Sequence, residues 1–150
     1  MAYLLDVNAL VALFWPAHIH HGVARTWFAR RAADGWATTP PTQAGFVRIV
    51  SNPAFSRDAV SPAEASRLLA ANLKHKQHRF KSADLSVPQA LAQFGARIVG
   101  HRQVADAYLL ALALRHRCRL ATFDSGVLAL LVDEDSGRKA VELLGTAGQG

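Results

Sequence analysis

Apolar and polar positions fall in blocks along the chain, and the blocks predict strands and helices in turn. Ala2 to Leu5 is a short apolar run ending at Asp6, as expected of a strand buried on both faces. Asn8 is placed to cap a helix from Ala9 to Phe14, which Pro16 ends. Val23, Trp27, Phe28 and Ala32 recur at helical spacing within His20 to Ala33. Trp36 to Thr39 reads as a second strand, closed by Pro40 and Pro41. A helix from about Thr42 follows, carrying Phe46, Val47 and Val50, and Ser51-Asn52-Pro53 stops it.

Ser61-Pro62-Ala63-Glu64 is a helix start with the elements of a capping box, and Ala65, Leu68, Leu69 and Leu73 share one side of the helix it opens. Lys74 to Lys81 is basic and has room for a third strand. Val87 to Phe94 predicts a short helix, and Val104 to His116 a central one, apolar almost all round. Arg119 to Phe123 reads as another strand, leading to Asp124. Val127 to Val132 is expected to be helical, and Lys139 to Leu144 to form a last edge strand. Strands alternating with helices predict an α/β fold, a central and mainly parallel sheet with helices on both faces. In such folds the strand C-termini and helix N-termini share one edge, where ligands bind.

Three carboxylates converge on that edge. Asp6 ends the first strand, Asp124 ends the strand from Arg119, and Asp106 lies in the first turn of the Val104 helix. Gln43 falls there too. Singly, each has a plain alternative: Asp124 as the cap of the next helix, Asp106 as a complement to the helix dipole. Together they repel one another unless a cation neutralises them. An all-oxygen donor set with no cysteine cluster suits Mg²⁺ or Mn²⁺.

Composition narrows the partner. A chain of 150 residues, 51% hydrophobic and 19% charged, is one ordered domain. Seventeen Lys and Arg against 11 Asp and Glu give +6, which favours a polyanion. Cys118 is the only cysteine, so no intramolecular disulfide forms, as suits a cytoplasmic protein. No apolar run has membrane length, and the start lacks the basic region of a signal peptide. No Gly-rich phosphate loop follows the first strand, which argues against a nucleotide-binding protein.

Four segments carry a family resemblance: Leu4-Leu5-Asp6-Val7-Asn8, Thr42-Gln43-Ala44-Gly45-Phe46-Val47-Arg48, the run from Gly100 to Leu109, and Ala121-Thr122-Phe123-Asp124. In this order they resemble PIN-domain ribonucleases of the VapC toxin type, over nearly the whole chain. The resemblance implies a PIN-like three-layer α/β/α sandwich over residues 1–144, with 145–150 as a flexible tail. It also implies an endoribonuclease dependent on Mg²⁺ (Mn²⁺ as a substitute). Such an enzyme cuts RNA, tRNA or rRNA being the expected substrates, and arrests translation. A homodimer and a small VapB-type antitoxin are the implied partners.

Asp6, Asp106 and Asp124 match the acidic metal positions of the family, and Thr122 a polar residue beside them. Gln43 is a departure, since that position often carries an acid, and it puts metal affinity in question. Two rival readings follow: an RNA-binding module with weakened or lost catalysis, and a structure-specific DNA nuclease. Arg102 is the candidate phosphate contact, with Thr122 also placed to meet substrate. Arg48 is placed to pair with a buried carboxylate. Lys74, Lys76, Arg79 and Lys81 read as a solvated face, with phosphate contact as the alternative. His18, His20 and His21 suggest a metal cluster, but adjacent helical positions diverge. His20 as a helix-start contact and His21 as a packed residue are the preferred readings. Trp15, Trp27 and Trp36 read as core, and Cys118 as structural.

Overall fold

The computed structural model describes residues 1–145; the expected tail from 146 onward lies outside them. Five strands form one sheet: β1 (Tyr3–Leu5), β2 (Trp36–Thr38), β3 (His78–Phe80), β4 (Arg119–Thr122) and β5 (Val141–Leu143). Their order is β3-β2-β1-β4-β5, and every neighbouring pair is parallel. Seven α-helices connect and cover them: α1 (Val7–Phe14), α2 (His21–Arg31), α3 (Pro40–Val50), α4 (Pro62–Asn72), α5 (Val87–Ala92), α6 (Val104–Arg115) and α7 (Glu134–Ala140).

Strand alternation sorts the core into two layers. Tyr3 and Leu5 face one side with Trp36, where α1 to α4 pack through Leu10, Trp27, Phe46 and Leu69. Leu4, Ala37 and Leu120 face the other, against Leu110 and Leu112 of α6 and Ala90 of α5. Trp15, Trp27, Trp36 and Cys118 are all buried, as expected.

Local chemistry moves several expected boundaries. The cap of α1 is Asp6, not Asn8: its Oδ1 accepts from the Ala9 N–H at 2.8 Å, so the helix starts at Val7. Pro40 and Pro41 open α3 and do not merely close a strand, because the missing N–H of proline costs nothing in a first turn. Thr42 makes half of a capping box there, its Oγ accepting from the Thr39 N–H at 3.1 Å. The Ser61 hydroxyl caps α4 by accepting from the Glu64 N–H. Residues Ser125–Leu130 form a 3-10 helix where an α-helix was expected. Lys139 and Ala140 end α7, so the last strand begins at Val141.

Candidate active site

Asp6 leaves β1 at the C-terminal edge of the sheet and turns at once into α1. It is only 6% exposed. Both oxygens are engaged: Oδ1 by the Ala9 N–H, and Oδ2 by the Thr122 hydroxyl, which donates at 2.5 Å. Burial pushes its pKa up from 3.8 to about 6, against the lowering effect of these two donors, and the charges of Asp106 and Asp124 raise it further.

Thr122 ends β4, the neighbour of β1, and is 1% exposed. Its Oγ also accepts from the Asp124 N–H at 3.0 Å, so one hydroxyl joins the exits of both strands. It is therefore buried behind Asp6, which it holds in place. Asp124 caps the 3-10 helix after β4, its Oδ1 accepting from the Gly126 N–H at 2.8 Å. That is the plain role considered for it, and its exposed carboxylate reaches the site as well. Asp106, half-buried in the first turn of α6, has its pKa raised by burial, then by the charge and hydrogen bonding of Asp124. The three carboxylates thus act on one another, and none pairs with a cation among the described residues.

Gln43 stands one turn into α3, and its Nε2 donates to the Thr38 Oγ at 2.9 Å. The Thr38 hydroxyl bonds His78 Nε2 at 2.8 Å. The Thr38 hydroxyl therefore links Gln43 to His78, whose ring also engages the Leu73 backbone. Burial, Arg79 and His75 hold His78 below its ordinary pKa, consistent with a neutral ring that accepts. This Gln43–Thr38–His78 chain was not foreseen, because its three members lie in separate elements. It engages the Nε2 end of the Gln43 amide.

Arg102 sits in a 3-10 turn (His101–Gln103) ahead of α6, exposed and without an ion-pair partner among the described residues. Gln103 pins that turn by accepting from the N–H groups of Val99 and Gly100. Arg48 is exposed and forms no ion pair among the described residues, so the expected pairing with a buried carboxylate is absent there. His20 is the N-cap residue of α2 without a side-chain cap bond, and a His21 ring nitrogen meets the Ala12 carbonyl at 2.8 Å. The three histidines form no metal cluster among the described residues.

An apolar groove of about 440 Å³ lies between α3 and α6, with Val7, Gly45, Val104 and Tyr108 in its walls, and none of the three carboxylates lines it. A larger cavity of about 720 Å³ lies at the β5 edge around Arg119 and Glu142 and contains none of the three carboxylates. Chemistry, not size, therefore locates the site.

The donor set fits a hard divalent cation. Asp106 and Asp124 raise the proton affinity of Asp6, Asp124 raises that of Asp106, and the carboxylate oxygens suit Mg²⁺ or Mn²⁺. Among the described residues no trio of His, Cys, Asp or Glu is close enough to hold one ion jointly. Mg²⁺ does not require one, since it commonly takes one or two carboxylates and keeps several waters.

The PIN-domain family model matches residues 3–144, and the chain belongs to that family. Within it, the similarity runs to VapC ribonucleases. Ribonuclease VapC38 of Mycobacterium tuberculosis is 48% identical over 141 residues, covering 94% of this chain and 96% of that protein. Ribonuclease VapC39 of the same species is 45% identical over 129 residues, covering 85% and 91%. The fold is also that of the solved VapBC2 of Rickettsia felis bound to a promoter DNA fragment, at TM-score 0.60 and 14% identity, covering 95% of this chain and 98% of that one. FitAcB of Neisseria gonorrhoeae matches at TM-score 0.61 and 19% identity, covering 95% and 97%.

Proposed function

We propose that this chain is a Mg²⁺-dependent endoribonuclease, Mn²⁺ serving as a substitute, that cuts tRNA or rRNA and so arrests translation. It acts as the toxin of a VapBC pair, held silent by a small VapB-type antitoxin, and works as a homodimer. The observation that carries the reading is the convergence of Asp6, Asp106 and Asp124 at one sheet edge without a cation partner among the described residues, on a protein of charge +6. The VapC relatives support the ribonuclease class, and the antitoxin follows from the VapBC likeness.

Asp6, Asp106 and Asp124 are the residues to hold the ion. When bound, it supplies positive charge to a phosphodiester and lowers the pKa of adjacent water. The chain supplies the rest. Thr122 and the Ala9 N–H lock Asp6 in one orientation. Gln43 presents an oxygen able to accept from an attacking water. Arg102 stands over the same edge as a donor to phosphate oxygen.

The deciding experiment incubates the purified chain with total cellular RNA in Mg²⁺, Mn²⁺ or EDTA and sequences the new ends. Discrete metal-dependent cuts in tRNA or rRNA are expected. RNA held but uncut in Mg²⁺ would make the chain a binding module, and preferential cutting of flap DNA would make it a DNA nuclease.

A further inference from the structure

We propose that the loop ahead of α2 carries a base-stacking platform for single-stranded RNA, built from His18, His20, Phe55 and Phe123. The proposal rests on the ribonuclease reading and assigns the substrate contact beside its site. Phe123 lies between Thr122 and Asp124 in the chain, with its ring partly buried against the core. The His20 ring stacks on it, with centroids 5.1 Å apart and planes at 27°. His18 follows at 5.7 Å from His20, and Phe55 at 6.4 Å from His18. The four rings thus form one continuous row.

The row is held in place by the backbone. The His18 Nδ1 accepts from the His20 N–H at 3.0 Å, and the His18 N–H donates to the Trp15 carbonyl at 3.0 Å. His21 anchors the far side of the loop through the Ala12 carbonyl. Phe123 packs partly on the core and Phe55 lies against Trp15, yet His20 and Phe55 remain exposed at the surface. The His20 ring makes no hydrogen bond or ion pair among the described residues, and its side chain is exposed beside Phe123 and His18. Burial, then His20 and His21, hold the His18 pKa below its ordinary value, so its ring offers a neutral face at pH 7.

Rings of this kind take bases from a single strand, because every base has a flat face and a duplex hides it. Exposed Arg57, two residues beyond Phe55, and Arg102 beyond the carboxylates add charge suited to the connecting phosphates. A row of aromatic faces that includes the chain neighbour of Thr122 and Asp124, on a cationic protein, therefore favours single-stranded RNA over a polypeptide as its occupant.

The test compares a short single-stranded RNA with an abasic RNA of equal length and charge. Fluorescence anisotropy gives both dissociation constants for the full chain in EDTA, where cutting is suppressed. His20→Ala should weaken binding of the base-containing RNA about ten-fold and leave the abasic RNA unchanged. His20→Phe, which keeps the aromatic face, should bind like the wild type. Thermal melts of both variants should match the wild type, since His20 is exposed. Equal losses on both RNAs, or no loss on either, would overturn the platform while RNA cutting by the wild type leaves the ribonuclease reading intact. Unchanged RNA binding with weakened antitoxin binding would give the rings to the partner protein and overturn the platform too. A wild type that binds neither RNA and cuts none overturns both readings.

Discussion

Asp6 is the residue on which stability and activity pull in opposite directions. Its pKa in the folded chain is about 6, against 3.8 ordinarily. Between those values the folded state keeps a proton that the unfolded chain has released. The metal-free protein therefore loses stability as pH rises through that window, by about 3 kcal/mol in all, and the loss is complete above pH 6. Asp6→Asn should flatten that slope and raise the melting temperature at pH 7 in EDTA, while abolishing cleavage in Mg²⁺. A calorimetric scan from pH 4 to 8 on both proteins checks it. Thr122 supplies the opposing effect, since its hydroxyl favours the ionised form of Asp6. Thr122→Val keeps the shape and removes the donor. Cleavage should fall at least ten-fold and its pH profile move to higher pH, with Thr122→Ser restoring both, as single-turnover kinetics will show. Gln43→Glu is not a simple gain of charge, because it removes the N–H that Thr38 accepts.

Among the elements, the seam between α1 and α3 controls how closely the site is assembled. Gly45 faces Val7, and a Cβ at Gly45 would stand 2.7 Å from the Val7 Cγ2. Val7 is β-branched and follows Asp6 directly, so it cannot turn aside within its helix. Gly45→Ala should lower stability by about 1–3 kcal/mol despite alanine's better helix propensity. Adding Val7→Ala should recover much of the loss, and urea unfolding of the single and double variants measures that coupling. The sequence announced this seam poorly, because a glycine in a helix reads only as a weakness. The long apolar elements were legible: β1, β4 and α6 fall where their runs of Leu, Ala and Val place them. The seven-residue α7 was not, since Glu134 to Ala140 has no apolar period. Its turns are held by the Asp133 cap and by Asp135 pairing with Lys139 at 2.9 Å. Of the site, the three aspartates could be read from their positions at strand ends and a helix start. The buried link through Thr122 and the His78 chain could not, because hydrogen bonds between distant elements leave no periodic trace.

At the scale of the whole molecule, charge is unevenly neutralised. Arg31 and Arg119 are both paired with Glu142, and Arg115 with Asp84, whereas Arg48, Arg57 and Arg102 have no ion-pair partner among the described residues. Affinity for single-stranded RNA should fall with added KCl. Arg102→Ala should reduce the slope of log K against log salt by about 0.7 if it neutralises one phosphate, as anisotropy titrations at several salt concentrations will reveal. Leu68 of α4 and Leu131, just after the 3-10 helix, pack on opposite faces of the sheet. The strand order has a further effect, on timing. β1 lies between β2 and β4, and the hydroxyl that holds Asp6 comes from a residue 116 positions later in the chain. A ribosome making this protein therefore exposes Asp6 early and Thr122 late. Through most of its own synthesis the growing polypeptide has no assembled nuclease centre. Under the proposed function, products terminated short of β4 should therefore lack RNA-cutting activity.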